Sequence, residues 1–363
     1  MWFKNMVIYR LHAQPQLDAG TLEEALTEHA ARSLAGQDPK RMGWTSPGGR
    51  RSQQLCHELQ GHRLLTALRQ ERLLPAGVVK EEVEERALEI EEREGRKLRR
   101  QERVVIKEQV YEEFLPRAFV RSQRIDLWWD TRRQLIAINA SSRKRAEEVL
   151  DLLRETLGSL KVTPLATQDL PIRAMTRWLS EPNTRPAWLA LGDSAQVASK
   201  GDDAKFTARQ ADLDGDEIRA ILESGRMATK VAIGIEGKMS FVLQDDLSIK
   251  QVRFADALID EASSADDGDD AIIRLETDFV LMAGALAECV ELMLEALGGE
   301  AQVAAEPQEE AGAQEAGQGS AAAGNEPNES ELPEDDQPSP PWSAGEGSAT
   351  EPLVDALEPA ANS

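Results

Sequence analysis

The chain has 363 residues, is 41% hydrophobic and carries a formal net charge of −23. This length and apolar content favour two or three compact domains and exclude a wholly disordered chain. With no run of eighteen apolar residues, no signal-peptide core after Met1 and only two cysteines, the chain is expected to be cytoplasmic, in a reducing setting and away from any membrane.

The first quarter of the chain reads as short strands with one helix. We expect strands at 6–11, 41–44 and 63–68. Thr21 followed by Glu24 matches a capping box, which predicts a helix running to about Ser33. The glycines of 46–49 predict a turn between the second and third strands. Arg50-Arg51 after them lacks the spacing and the Lys-Ser/Thr of a P-loop, so no nucleotide cofactor is expected.

Residues 75–114 are the longest polar helical stretch and are predicted to form a helical hairpin. Its charge changes sign: 78–95 hold eight acidic and three basic residues, whereas 96–107 hold six basic and one acidic. Gly95 lies at the junction and predicts a turn. At about 100° per residue, five basic side chains of the second arm share one helix face. They are Arg96, Arg99, Arg100, Arg103 and Lys107.

The local balance of charge suggests a polyanionic partner. Residues 96–145 hold fourteen Lys/Arg against six Asp/Glu, a balance of +8 inside an acidic protein. Such a local field favours contact with nucleic acid. The alternative is a solvated surface, in which glutamates of the first arm of the hairpin pair with arginines of the second.

The C-terminal tail has the opposite character. Residues 301–363 hold fourteen Asp/Glu and no Lys or Arg. Their Ala, Glu, Gly, Pro and Ser predict disorder. The tail is therefore either a soluble spacer or an internal competitor that occupies the basic residues in place of nucleic acid.

The remaining pattern is α+β with antiparallel sheets. We expect a strand hairpin at 124–130 and 134–139, a helix at 142–157 and a three-strand meander at 229–235, 239–244 and 249–254. We expect further helices at 214–224, 255–261 and 277–297. Asp212 or Asp214 is the predicted N-cap of the first of these. Residues 160–210 contain four prolines and predict only short mixed elements.

No motif in the sequence predicts catalysis or a resident metal. Cys56-His57 with His62 lacks the four-ligand spacing of a zinc site. The acidic run 212–216 resembles a calcium loop but has Glu217 where the loop requires glycine. Nucleophile, metalloprotease and dinucleotide motifs are not found. We therefore expect a protein that is not an enzyme and needs no cofactor.

Short blocks along residues 1–300 resemble, in order, the family of the bacterial recombination-associated protein RdgC. The blocks include Trp2-Phe3-Lys4-Asn5, Tyr9-Arg10-Leu11, Met42-Gly43-Trp44, Arg96-Lys97-Leu98, Leu115-Pro116-Arg117-Ala118-Phe119, Leu152-Leu153-Arg154, Leu157-Gly158-Ser159-Leu160, Thr229-Lys230, Asp278-Phe279-Val280-Leu281-Met282 and Leu297-Gly298-Gly299-Glu300. Each block is short, and their joint occurrence is specific.

The resemblance implies a crescent-shaped subunit and a ring-shaped homodimer whose positively lined hole encloses duplex DNA. It also implies binding without regard to sequence, no catalysis, and restraint of the RecA recombinase during recombination and replication-fork repair. Such a protein is expected at the nucleoid, with single-stranded DNA as a further ligand. A second hypothesis is an interaction protein that inhibits the recombinase by direct contact, with DNA binding incidental.

Candidate site residues follow from the basic stretch and from the resemblance. The expected DNA contacts are Arg96, Lys97, Arg99, Arg100, Arg103, Lys107, Arg117, Arg121 and Arg124. The resemblance implies one subunit interface at Phe119 and a second at Arg209 and Gln210, where Ala211 replaces a polar residue of the family pattern. The expected domains are 1–75 with 115–165, the hairpin 76–114, a C-terminal region 166–300 and the acidic tail 301–363.

Overall fold

A computed structural model describes residues 2–13, 18–199, 204–264 and 271–301. These residues contain eight α-helices and two antiparallel sheets, which confirms the predicted α+β class. They lie in one compact unit that spans Met1–Ala304. Within these ranges, no helix has both the length and the apolar character needed to cross a membrane. The predicted disorder of the tail concerns residues that lie, after Ala301, outside the described part of the chain.

The larger sheet has seven strands. They are β1 (Val7–Leu11), β2 (Lys40–Thr45), β3 (Cys56–Leu59), β4 (His62–Leu73), β5 (Phe119–Asp130), β6 (Leu135–Ile138) and β7 (Val162–Pro164). Their order is β2-β4-β5-β6-β1-β7, and β3 pairs with the first residues of β4.

The two central strands of this sheet are longer than the sequence predicts. β4 and β5 have twelve residues each and pair over their full length, from His62 opposite Asp130 to Leu73 opposite Phe119. The outer half of β5 (119–124) is exposed, whereas that of β4 is mostly half-buried and includes the buried Arg69; in neither does the apolar alternation that marks a half-buried strand continue. We call the outer halves of β4 and β5 the polar ribbon; β2 pairs with β4 along this ribbon as far as Glu71.

Two helices cover one face of the seven-stranded sheet. They are α1 (Ala19–Glu28) and α4 (Arg143–Leu157), and their apolar stripes meet Trp129 and its buried neighbours. The predicted bounds of α4 are confirmed, because Ser142 caps its start and Gly158 ends it in the left-handed conformation.

The predicted cap of α1 is wrong. The N-cap is Asp18, whose carboxylate accepts the Thr21 backbone N–H at 2.8 Å and the Thr21 hydroxyl at 3.0 Å. Thr21 therefore lies inside the helix, and its own backbone N–H is the exposed donor that the N-cap carboxylate satisfies. The helix ends at Glu28, before the predicted Ser33.

The smaller sheet has five strands in the order β12-β11-β10-β8-β9. They are β8 (Leu189–Ala198), β9 (Lys205–Ala208), β10 (Met227–Ile235), β11 (Met239–Gln244) and β12 (Ile249–Phe254). The predicted meander is confirmed as β10, β11 and β12. Met6 and Ile249 exchange backbone hydrogen bonds of 2.8 and 2.9 Å, which join this sheet to the chain just before β1.

The prediction of short mixed elements for 160–210 is wrong in part, since this region contains the ten-residue helix α5 (Pro171–Ser180) and the ten-residue strand β8. Pro171 is the first residue of α5, and Pro186 lies three residues before β8. The prolines therefore bound regular elements, a role that their fixed φ suits, and do not interrupt them.

Three further helices complete the C-terminal half. They are α6 (Asp216–Glu223), α7 (Asp256–Ser264) and α8 (Ala271–Ala296). The N-cap of α6 is Gly215, so the prediction of Asp212 or Asp214 is wrong. The Asp212 carboxylate instead accepts the Asp214 backbone N–H at 3.0 Å in the loop before the helix.

The main core lies between the two sheets. The second face of the seven-stranded sheet contributes Leu64 and Trp128, α5 contributes Met175 and α8 contributes Phe279, all with side chains almost fully buried. The smaller sheet adds the inward-facing residues of β8 and β10 to β12. Both faces of the larger sheet are thus packed, except at its polar outer end.

The predicted helical hairpin is present as α2 (Ala76–Glu94) and α3 (Arg100–Phe114). It has a small core of its own, in which four residues are buried between the two helices. They are Val79, Ala87, Ile106 and Val110. The division of the chain into the four domains named above stays a prediction.

Candidate nucleic-acid interface

The turn of the hairpin changes the geometry expected for the basic residues. Gly95 adopts the left-handed conformation (φ 65°) and ends α2, because a helix cannot continue through that conformation. α3 begins only at Arg100, so Arg96 and Arg99 precede it. The prediction that five basic residues share one helix face is therefore wrong for these two. The spacing of one helix face is kept by Arg100, Arg103 and Lys107.

Two of the predicted DNA-contacting arginines are engaged within the hairpin. The Arg96 guanidinium lies 2.7 Å from the Glu94 carboxylate and 2.6 Å from that of Glu102. Its hydrogen bond lowers the pKa of Glu102 to about 2. Arg103 pairs with Glu91 of α2 at 3.1 Å, as the alternative interpretation of the basic stretch expected. Both arginines thus have carboxylate partners that phosphates would have to displace.

Five others of the predicted DNA contacts are exposed and make no ion pair with any residue that the structure describes. We call Lys97, Arg99 and Arg100 the hairpin-turn group, and Arg117 and Arg121 the strand group. The fifteen residues of α3 separate the two groups, which corresponds to about 22 Å at 1.5 Å per residue. Duplex DNA carries a phosphate about every 3.4 Å along each strand, so the two groups can serve phosphates several base pairs apart.

The two remaining predicted contacts have other surroundings. Lys107 is exposed on α3 and lines a cleft described below. The Arg124 guanidinium donates hydrogen bonds to the backbone oxygens of Ser46 at 2.7 Å and Pro47 at 3.0 Å. Arg124 therefore fixes the loop that follows β2.

The Phe119 side chain stands at the outer end of the polar ribbon, 85% exposed. Its cross-strand partner Leu73 and its neighbour Val120 are also exposed. The preceding 3₁₀ turn Leu115–Arg117 is anchored, since the Arg72 guanidinium donates to the backbone oxygen of Pro116 at 2.9 Å. Exposure of a large aromatic side chain to water is unfavourable, and such exposure is typical of a contact surface.

An apolar cleft of about 380 Å³ lies at the base of the hairpin. Its walls are formed by Leu74, directly after β4, and by side chains of α2 and α3. They are Leu74, Ala76, Val79, Lys80, Val83, Lys107 and Tyr111. The cleft lies beside Leu74 and Ala76, through which the chain passes from β4 into the hairpin.

Arg209 and Gln210 follow β9 on the smaller sheet, and both are exposed. Gln210 has a φ of 50°, a conformation that residues other than glycine rarely adopt. Both residues line an open cleft of about 480 Å³ together with residues of β8, β10 and β12. Backbone strain of this kind is concentrated at functional surfaces, and here it coincides with the second predicted interface.

Sequence reasoning missed two residues that shape this region, Leu73 and Arg72. Both lie in the outer half of β4, where the polar sequence gave no strand signal. The available signal is the polar character of both 69–72 and 121–124, which is compatible with paired strands at the end of a sheet. The sequence shows only that Gly48-Gly49-Arg50-Arg51 lacks the P-loop pattern, and it gives no other signal for Arg50 and Arg51.

The cysteines do not form a reactive or metal-binding centre in the described part of the chain. Burial raises the pKa of Cys56 to about 12, and burial likewise raises the pKa of Cys289 to about 12. A thiol with a raised pKa stays protonated and is a poor ligand and nucleophile at neutral pH. Among the described residues, no three His, Cys, Asp or Glu side chains group closely enough to hold a metal ion.

Comparison with known proteins adds a family to this geometry. The profile of the family described as "Putative exonuclease, RdgC" matches residues 1–300. The Recombination-associated protein RdgC of Yersinia pestis (strain Pestoides F) is 38% identical over 303 residues, which cover 83% of this chain and 99% of the relative. The protein of the same name from Tolumonas auensis is 38% identical over 301 residues, with the same coverage.

Proposed function

Because this chain belongs to the RdgC family of recombination-associated proteins, we propose that it binds duplex DNA without regard to sequence and encircles it as a homodimer. On the DNA it restrains a RecA-type recombinase during recombination and replication-fork repair. No bond is made or broken in this function, and the protein is associated with the nucleoid.

The observation that carries this proposal is the set of five open basic residues. The hairpin-turn group and the strand group present exposed cationic side chains with no ion pair among the described residues, inside a protein of net charge −23. Lysine and arginine at phosphates release condensed counterions, which gives affinity without sequence information. The groups lie on a hairpin and a polar ribbon, and neither element has the form of a groove-reading motif.

Closure of the ring is the second part of the proposal. An exposed aromatic residue and an apolar cleft on the same subunit make a self-complementary pair for a two-fold interface. In this arrangement Phe119 of one subunit enters the cleft at Leu74, Val79 and Tyr111 of its partner, and the partner reciprocates. A second contact at Arg209 and Gln210 closes the other end. Release from DNA then requires an interface to open.

The test is DNA binding across a salt series on linear and covalently closed duplex. If the five open residues of one subunit each neutralise a phosphate, log K falls against log salt with a slope of about −4.5 per subunit. Encirclement predicts that closed circles are retained through a high-salt wash while linear duplex slides off. A near-zero slope, or strong preference for one sequence, contradicts the binding mode. Equal loss of both DNA forms contradicts encirclement alone.

A second candidate function is direct inhibition of the recombinase by protein contact. Exposed apolar side chains on the hairpin favour it: Leu88, Val104 and Val105 are each about half exposed or more. Such residues suit a protein partner better than a phosphate backbone. Under this hypothesis, a variant without DNA affinity still inhibits the recombinase. Under the first, inhibition and DNA affinity are lost together.

A further inference from the structure

The loop between β2 and β3 presents two arginines that the proposed function has not used. Residues 46–52 read Ser-Pro-Gly-Gly-Arg-Arg-Ser, and Gly49–Arg51 form a 3₁₀ turn. Arg50 and Arg51 are exposed, and neither makes an ion pair with a residue that the structure describes. The loop is not a P-loop, so a role in binding anions has to follow from its own geometry.

One end of this loop is held by the sheet. Arg124 on β5 donates to the backbone oxygens of Ser46 and Pro47 at 2.7 and 3.0 Å. Ser46 and Pro47 are both buried. The Arg124 guanidinium thus holds the entry to the turn: it adds a second hydrogen bond to the Ser46 carbonyl, which already accepts the Gly49 N–H at 3.0 Å, and it also donates to the Pro47 carbonyl.

The other end is held through a buried histidine. The ring of His57, with a side chain 1% exposed, places Nε2 3.4 Å from the Ser52 hydroxyl and Nδ1 3.4 Å from the Glu276 carboxylate of α8. Ser52 is the residue directly after the turn. The exit of the loop is therefore connected to β3 and to the long helix α8.

The turn itself allows little movement. A Cβ at Gly48 would lie 2.8 Å from the Ser52 Cβ and 3.1 Å from Cδ1 of Ile272, so only glycine fits there without a shift. Gly49 has a φ of +64°, which glycine adopts without strain. Both glycines thus serve the close packing of the turn, and the two arginines extend from a fixed base.

We propose that this loop, residues 46–52, is a second phosphate-binding element, in which Arg50 and Arg51 each contact a backbone phosphate of the bound nucleic acid. The inference rests on the proposed function and adds a contact site outside the basic stretch 96–145. Arg124 is a positioning residue here: its guanidinium holds the turn, and Arg50 and Arg51 contact the phosphates. A fixed base lowers the ordering penalty on binding, which favours adjacent arginines on a pinned turn over the same pair on a mobile loop.

The first experiment compares two variants of equal charge. Arg50→Ala/Arg51→Ala removes the proposed contacts. The control Arg154→Ala/Arg219→Ala removes two arginines that are paired within their own helices, α4 and α6, with Asp151 and Asp216. Loss of two phosphate contacts lowers the salt slope by about 1.8, which corresponds to about 60-fold weaker binding at 0.1 M salt if the affinities agree at 1 M. The control pair is expected to keep the wild-type slope.

The second experiment moves the loop without changing charge. Gly48→Ala introduces the Cβ that the packing excludes, and we expect it to weaken DNA binding and reduce the salt slope. In the Arg50→Ala/Arg51→Ala background the same substitution is expected to have no further effect, since the groups it displaces are gone. Thermal unfolding of each variant verifies that the fold is retained.

The outcomes separate this inference from the function on which it rests. If the unaltered protein fails to bind duplex DNA, the proposed function fails. If it binds with the expected slope and Arg50→Ala/Arg51→Ala binds equally well, the loop proposal fails and the proposed function stands. An equal effect of Gly48→Ala in both backgrounds also overturns the proposal, because the loop then acts other than through its arginines.

Discussion

The helical hairpin and the seven-stranded sheet differ in how much apolar surface they bury, although the chain passes directly from β4 into the hairpin and from the hairpin to β5. The hairpin buries four residues between its helices, and its remaining surface is mostly charged, with a few exposed apolar side chains such as Leu88. The sheet is packed on both faces, with Trp44, Trp128 and Trp129 fully buried. An element with so little apolar contact draws its order from ion pairs and from its attachment to β4 and β5, whereas the sheet is ordered by its core.

This difference explains where the open basic residues lie. Cationic side chains can stay unpaired only where water or a polyanion solvates them, and packed faces do not offer that. The hairpin turn, the start of β5 and the loop 46–52 are such solvated places. Substitutions in the charged hairpin and in the packed sheet are therefore expected to have different effects.

The largest effect is expected from the charge of the hairpin turn. Lys97→Ala/Arg99→Ala/Arg100→Ala removes three open cations, which lowers the salt slope by about 2.7 and weakens DNA binding about 500-fold at 0.1 M salt. A control, Arg96→Ala/Arg103→Ala, removes two arginines that already pair with carboxylates and is expected to change the slope by less than half as much, although it removes two thirds as much charge. Equal slopes for both variants would remove the distinction between open and paired residues.

The next effect concerns stability. Leu127→Ala in the sheet leaves a cavity among fully buried neighbours and is expected to lower the free energy of unfolding by about 3 kcal/mol. Ile106→Ala in the hairpin is expected to leave the global denaturation midpoint almost unchanged and to speed hydrogen exchange of amides in α2 and α3. A global loss from Ile106→Ala as large as that from Leu127→Ala would mean that hairpin and sheet unfold together.

Elements with local sequence signals could be predicted from the sequence, whereas elements that depend on distant partners could not. α4 was predictable to its ends, because Ser142 and Gly158 give local signals on either side of an apolar stripe. The meander of β10 to β12 was predictable for the same reason. In contrast, the outer halves of β4 and β5 are strands because they pair with each other, and β4 also pairs with β2; these pairings join residues far apart in the chain.

The site was predictable in composition more than in geometry. The charge balance of 96–145 located the basic residues, but three-dimensional partners decide which are open. Arg96 is paired through Glu102, six residues away, and Arg124 is directed to carbonyls 77 and 78 residues away. Neither partner follows from helix periodicity, which treats all exposed positions of a face alike.

A third prediction concerns assembly through Phe119. Since the side chain is 85% exposed, Phe119→Ala should not destabilise the subunit. At a subunit interface the loss of an aromatic anchor is expected to weaken dimerisation by about 2 kcal/mol, roughly 30-fold in Kd. Sedimentation at low concentration measures the change, and retention on closed circular DNA should fall with it. Leu88→Ala, an exposed apolar residue of the hairpin, is the control and is expected to sediment as the unaltered protein does.

A smaller effect is expected from the acidic tail. Residues 301–363 carry fourteen acids and no Lys or Arg, and for a covalently attached polyanion that competes with DNA for the open basic residues, the effective concentration makes even weak contacts count. Deletion of residues 302–363 is expected to raise DNA affinity about fivefold at low salt, with the gain fading as the screening length shortens to about 3 Å at 1 M. Equal affinity of both proteins at low salt would identify the tail as a spacer.

The smallest effect is local and tests the ion pair at the hairpin turn by pH. The hydrogen bond from Arg96 lowers the pKa of Glu102 to about 2, below the ordinary value of about 4.3. A lowered carboxyl pKa means that the pair contributes above about pH 4 and is lost as the pH falls toward 2. Carbon-detected NMR titration should therefore find the Glu102 carboxyl charged at pH 3.5. Arg96→Gln should return its midpoint towards 4, and Arg100→Gln on the same helix should leave it low. A midpoint near 4.3 in the unaltered protein would show that Arg96 is free in solution, and it would then join the open residues that face the nucleic acid.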